Sequence, residues 1–361
     1  MDMAHRTNIH PLPLIRRFRF LLCRLRLVRL LTMVCISCTP VSISSIQAQI
    51  LEEYFSGGFS NNWRDAQNWG VAVPGEFRKV FIDSRSVLIT ESGIAQKVFV
   101  GTGQPAQLNI QDGNFSVSKG LVVGEFGNVE INGGISQIDS ITVDGILDLN
   151  TESTFSGLSN VSGGSLQTNN IVLGEIAGTY GELNVHGGNV LATQVIAGQG
   201  IGAFGTIGVT DGVLRINTMT VGDGGSGSVT QTGGNVFFQE FALFDSPSAL
   251  TVGDGNPDES NMEATGEYTL AGGELNLSGG EIHISSTGSF EHSGGHLTNV
   301  GSVLNEGVYT VKASKNGGLA MSNVVEFTQT TAGTLSIISD WRYGDITGSS
   351  ESLTERAWMV R

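Results

Sequence analysis

Residues equipped for chemistry fall into a few short stretches of this chain. Gly222, Gly224 and Gly227, in VGDGGSGSVTQTGG (221–234), stand in the G-x-G-x-x-G spacing that cradles a pyrophosphate when a helix follows. Asp254, Asn256 and Asp258 alternate in DGNPDESNME as the first oxygen ligands of a calcium loop do, but Glu259 and Thr265 stand where such a loop needs Gly and a bidentate Glu. Asp112, Asp139, Asp144, Asp148 and Asp211 are the carboxylates to test as a glycosidase pair, which needs two carboxyl groups about 5.5 Å or about 6.5–9.5 Å apart. His283 and His292 with Glu281 are zinc-ligand types at a spacing that matches no zinc loop. Trp63 and Trp69, in NNWRDAQNWG, are either the apolar cover of a fold's end or an aromatic platform for a ligand such as a sugar ring.

The elements that carry these residues decide which of them can meet. Glycine is the compositional outlier, 51 of 361 residues, about double the usual share of ~7%. GG, or DG in its place, recurs at 112–113, 133–134, 163–164, 187–188, 211–212, 233–234, 272–273, 294–295 and 317–318, mostly 21–24 residues apart. The widest gap, 39 residues, is read as one repeat plus the insertion DGNPDESNMEATG. Each repeat offers three apolar pairs: Leu183 and Val185, Val190 and Ala192, Val195 and Ala197, followed by Ile207 and Val209, Leu214 and Ile216, Met219 and Val221. The next repeat reads as Val229 and Gln231, Val236 and Phe238, Phe241 and Leu243. Residues two apart share one face of a strand. Three short strands per repeat, with no sustained helical period, predict an all-β fold: a right-handed parallel β-helix solenoid of about nine coils of 21–24 residues, three strands per coil.

In such a coil the glycines turn corners, and Asp112 and Asp211 replace them as the residues next most tolerant of φ > 0. The nucleotide-like match is then a corner: SVTQTGGNV follows it instead of a helix, and Gly200, Gly202 and Gly205 repeat the match one coil earlier. Neither a nucleotide nor any other cofactor is expected, apart from the calcium that Asp254, Asn256 and Asp258 would hold. Asp112 and Asp211 lie four coils apart, roughly 19 Å, too far to cooperate. Asp139, Asp144 and Asp148 find no matching carboxylate column in a neighbouring coil, and Arg215 has no carboxylate cluster, so a general acid–base pair is not expected. His292 falls in the inward column that also holds Gln231, while Thr210, Asn217, Thr220 and Thr230 read as outward and polar.

Residues 1–48 differ from the rest: seven Arg, one Asp, the apolar run LLTMVCIS and the small-residue exit SSIQAQ predict a signal peptide cleaved after Ala48, hence export to the cell surface or beyond. Removing them takes seven of the 19 basic and one of the 34 acidic residues, leaving 12 against 33, a net charge of −21. That surface disfavours nucleic acid, whose phosphates require Lys and Arg. All three cysteines leave with the segment, so stability must come from repeated hydrogen bonding and core burial.

The stretch NNWRDAQNWGVAVPGEFRKVFID (61–83), followed by coils such as GTYGELNVHGGNVLATQVIAGQGIGAFGTIGVTDG (178–212), resembles secreted bacterial β-helix repeat proteins, both planctomycete-type surface proteins and autotransporter passengers. The likeness spans roughly residues 50 to 340, and the terminal DWRYGDITGSSESLTERAWMVR departs from both groups, having neither a translocator barrel nor a sorting helix. The organisation expected is a signal peptide (1–48), an N-terminal cap with the first strands (49–96), coils (97–318) and a C-terminal cap or tail (319–361). The missing acid–base pair and the polar outward positions lead to the expectation of an exported structural or adhesive surface protein without catalysis, touching cell-envelope or matrix components, polysaccharide or other copies of itself. The alternative is a carbohydrate-binding or degenerate polysaccharide-degrading β-helix.

Overall fold

Apolar residues two apart turn to one side of each strand, and stacking those sides builds the molecule. The structure, a computed structural model, describes residues 51–149, 164–239, 249–253, 264–313, 320–322 and 326–339, all within one compact unit, Ile50–Arg361. Among the described residues are 28 strands and a short 3-10 turn, Ala66–Asn68. Their pairings are parallel, each strand lying beside its equivalents in the coils before and after, as in Tyr180↔Phe204↔Ser226 and Asn189↔Val213↔Asn235. The chain is a parallel β-solenoid with three strand columns, here called the first, second and third faces.

The third face holds eleven strands, from Ser86–Ile89 to Thr334–Ser339. The first two faces share a 17-stranded sheet, because five coils cross from one to the other on a single bent strand, such as Asn114–Val123 or Asn189–Ala197. Later coils divide that strand, as in Val213–Ile216 and Thr218–Val221. The bend follows from spacing. Leu214, Ile216, Met219 and Val221 are all buried, but the step across the bend is three residues where it is two on either side. The odd step resets the in-and-out alternation, so both arms bury their apolar side in one core. It also corrects the outward placing of Asn217, which occupies the bend and is 2% exposed.

The GG pair marks the corner between the third and first faces. The left-handed conformation falls on its second residue, as at Gly113 (φ 78°) and Gly212 (φ 74°), where a Cβ would press on the backbone of the preceding coil. Asp112 and Asp211 therefore do not stand in corners by tolerating φ > 0, as the sequence suggested. Each takes an ordinary φ, and its carboxylate accepts the N–H of the following glycine at 2.7 Å. An Asx hydrogen bond, available to Asp and free of any left-handed cost, explains the substitution.

The 39-residue gap is also corrected. Met219 and Val221 pair with Leu250 and Val252, not with Phe241 and Leu243, which lie outside the described residues. Extra chain thus enters at two places, before Ala249–Val252 and after it. Strands of the same columns start at Leu51–Tyr54, before residue 97, and continue beyond 318 to Thr334–Ser339.

At the N-terminal end, Asn62 bridges to Leu88 of the first third-face strand, and Trp63 lies across the core at 0% exposure. Its ring meets Trp69 and Phe115 edge-on, with centroids 5.1 and 5.7 Å away, and the Trp69 indole N–H donates to the Trp63 carbonyl at 2.7 Å.

Candidate ligand-binding edge

The two corner matches to a nucleotide fingerprint are stacked on one another, Gly205 beside Gly227, with no helix after either. A Cβ on Gly222 or Gly227 would collide with neighbouring backbone, so packing between coils accounts for those glycines. Trp63 and Trp69, at 0% and 6% exposure, present no face to a ligand; the platform reading of these two is corrected by their burial. Asp254, Asn256 and Asp258 lie outside the described residues. The zinc trio is not assembled: His283 shares its Nε2 with Glu306 at 3.1 Å, while His292 points into the core at 0% exposure. Among the described residues no three His, Cys, Asp or Glu side chains are placed to hold a metal.

The carboxylates are occupied one by one. Asp144, 3% exposed, accepts the N–H groups of Glu175 and Ile176 at 3.0 and 3.3 Å and the Thr179 hydroxyl at 2.6 Å. Glu130 on the third face takes amide N–H groups from Gln107 at 2.6 Å and Asn109 at 2.9 Å. Asp139 accepts from the Asn169 amide at 3.1 Å, in a polar trough of about 270 Å³ along the bend between the first and second faces. Asp148 lies on the Ile146–Leu149 strand, with its backbone in register with Glu130.

Two aromatic arrangements face outward, and they differ. Tyr54, Phe81 and Phe99 follow one another in register on the second face, with centroids 4.9 and 4.7 Å apart and planes 15° and 4° from parallel. Their faces are spent on each other.

The second arrangement follows the corner between the second and third faces. Phe126, Tyr180 and Phe204 each immediately precede the glycine that opens or nearly opens a third-face strand: Gly127, Gly181 and Gly205. They are 49%, 47% and 55% exposed, and Ile176 and Ile201 from the same corner loops add 60% and 51%. Tyr180 pairs directly with Phe204. Carrying back the register of Ile146 with Asn128 and Glu182 sets Phe126 two coils before Tyr180, with Asp144 between. Among the described residues none of these three rings belongs to a stacked aromatic pair, and each residue is about half exposed.

The edge is held firmly. Backbone bonds join loop to loop, from Phe126 N to Gly101 O at 3.1 Å, Phe204 N to Thr179 O at 2.8 Å and Ser226 N to Ala203 O at 2.8 Å. Asp144 pins the loop that carries Ile176 and leads into Tyr180. The Tyr180 hydroxyl lies 3.0 Å from Glu182 and 2.9 Å from the Thr206 hydroxyl, and the Asn184 amide holds Glu182 at 2.7 Å. Desolvation raises the Tyr180 pKa above 10.0, with Thr206 opposing and Glu182 adding to the shift, so the hydroxyl stays neutral.

Sequence reasoning passed over this edge because pairs two apart were sorted into inward columns, and corner residues belong to no pair. A signal was present: GEFG, GTYG and GAFG each place an aromatic residue against a corner glycine.

No protein-family model, curated protein or solved structure matches the chain. What fold and site define together is a parallel β-solenoid with an aromatic ladder on its second face and a rigid apolar edge at the corner between its second and third faces.

Proposed function

We propose that this chain is an exported, non-catalytic adhesive protein of the bacterial surface β-helix kind, resembling autotransporter passengers and planctomycete-type surface proteins. It holds cell-envelope or matrix components along one edge of a stiff solenoid. The observation that carries this reading is the set of five large apolar side chains, each about half exposed, that the coil register gathers on one corner; other exposed apolar residues, such as Phe59, Val71, Ile94 and Ile135, lie elsewhere on the surface. Exposed apolar patches with polar rims mark interaction sites, and here glycine corners fix the row in place before any partner arrives, which lowers the ordering cost of binding. The carboxylates favour binding over hydrolysis, since Asp144, Glu130 and Glu182 spend their oxygens on neighbouring amides, hydroxyls and N–H groups. The basic, then apolar, N-terminal 48 residues support export.

The test uses the full-length chain made in a secreting bacterial host. The expected result is export that fails when residues 1–48 are deleted, saturable adsorption to isolated envelope and matrix material, and no new reducing ends or unsaturated sugars in the supernatant. Released sugar products would refute the non-catalytic part, and a folded chain that adsorbs to nothing would refute the adhesive part.

A further inference from the structure

We infer that the edge formed by Phe126, Tyr180 and Phe204, with Ile176 and Ile201, binds a neutral β-linked hexopyranose polymer lying along the solenoid axis. The inference rests on the adhesive reading above and names its ligand.

Three features point to a linear sugar chain. The apolar groups form a line, with Tyr180 and Phe204 one coil apart, about 4.8 Å, and Phe126 two coils before Tyr180, about 9.6 Å. A straight row along the axis, interrupted only at the Asp144 coil, suits a straight polymer better than a compact ligand. The rings are half exposed and, unlike Tyr54, Phe81 and Phe99, not stacked on one another, and the C–H face of a pyranose is the apolar half of an amphipathic unit that such side chains can take. Polar groups stand where the hydroxyl half would fall: the Tyr180 hydroxyl, Thr206 and the Glu182 carboxylate form a bonded cluster against the rings, able both to donate to and to accept from sugar hydroxyls.

Other occupants fit less well. Three half-exposed aromatic side chains and two isoleucines offer about 400–500 Å², below the ~800 Å² per partner of a standard protein interface. Glu125 and Glu175 stand exposed beside Phe126 and Ile176, so a second copy would bring acid against acid. The same carboxylates repel uronate or sulfated polymers, which leaves neutral chains.

The experiment measures depletion isotherms of the full-length chain on insoluble β-1,4-glucan and on insoluble β-1,4-linked N-acetylglucosamine polymer, with granular α-glucan as control. Binding to at least one β-linked polymer and not to α-glucan is expected. Phe126→Ser and Phe204→Ser should each weaken it about tenfold or more, since each removes half a ring of apolar contact, while Tyr54→Ala leaves it unchanged. Melting temperatures within a degree or two of the parent would show that the variants fold. Equal binding by parent and edge variants would overturn the inference while leaving adhesion standing. So would a parent dimer in light scattering that Phe204→Ser dissociates, which would make a second copy the occupant. Adsorption to envelope material without binding to either β-linked polymer would overturn the ligand class alone, and adsorption to no material would defeat the adhesive reading as well.

Discussion

His292 offers the sharpest test of how the core is built. It ends the strand Gly288–His292, is 0% exposed, and lies between Leu270 and Val311 in the third-face register. Neither ring nitrogen makes a well-formed hydrogen bond, the Gly295 and Gly294 backbone being its polar neighbours. Desolvation holds its pKa below the ordinary 6.5, only partly offset by the nearby Gly295 and Gly294 backbone. Above pH 6.5 the ring is neutral whether the chain is folded or unfolded, and it contributes no pH dependence. Below 6.5 the unfolded chain takes up a proton that the folded chain refuses, so stability falls as pH falls, by up to ~1.4 kcal/mol per pH unit, until the folded pKa is reached. His292→Leu repeats the Leu270 environment, removes that linkage and removes unsatisfied polar atoms that cost ~1–3 kcal/mol. The variant should be more stable by about 1–2 kcal/mol at pH 7.5, and its lead should widen by up to ~2 kcal/mol between pH 6.5 and 5.0. Urea unfolding followed by far-ultraviolet circular dichroism at pH 7.5, 6.5 and 5.0 reads both quantities. A lead that stays constant with pH, or a variant less stable at pH 7.5, would refute the reasoning.

Three other sets of substitutions probe corner, cap and loop. Gly212→Ala places a Cβ at φ 74° against Gly187 and should cost more than ~2 kcal/mol, whereas Asp211→Ala loses one Asx bond, about 1 kcal/mol; equal urea midpoints would contradict the assignment of the left-handed residue. Arg78→Met strands the Glu53 carboxylate, whose side chain is 3% exposed and bonded to Arg78 at 2.6 Å, and should cost ~3–5 kcal/mol, most of it recovered by adding Glu53→Leu; a thermal melt unmoved by the single change would count against a buried pair. Asp144→Ala removes the shared acceptor of the loop after Gly174, so the amides of Glu175 and Ile176 should exchange hydrogen at least about tenfold faster, with core amides unchanged. Uniformly unchanged exchange would show that Asp144 does not hold the loop.

Coil length, strand count and the inward pairs were legible in the sequence because each coil repeats one demand, that alternate residues be apolar where three strands meet a common core. Val190, Ala192, Val195 and Ala197 state it directly, and all four are buried. His292 and Gln231 were placed inward by the same alignment, as found. Alignment failed where the period is interrupted. Phe241 and Leu243 sat at the expected distance after Val236 and Phe238, but local spacing cannot reveal that the second-face strand of this coil comes later in the chain; the pairing of Met219 with Leu250 does. Corner residues were the other weak point. Composition implied that Asp112 and Asp211 took the conformation of the glycines they replace, although the strained position is the next one along. The apolar edge escaped for a related reason: Phe126, Tyr180 and Phe204 come together only across coils, through a register that includes the 36-residue step from Asp144 to Tyr180.

The most direct test of the account is a hydrogen–deuterium exchange footprint of the full-length chain bound to the β-linked polymer that retains it. Protection confined to 124–128, 174–182 and 198–206, with the bend trough at 116–118, 137–139 and 167–169 exchanging as in the free protein, is the predicted result. Protection centred on that trough, or on the Tyr54–Phe81–Phe99 stack, with the edge exchanging freely, would contradict it.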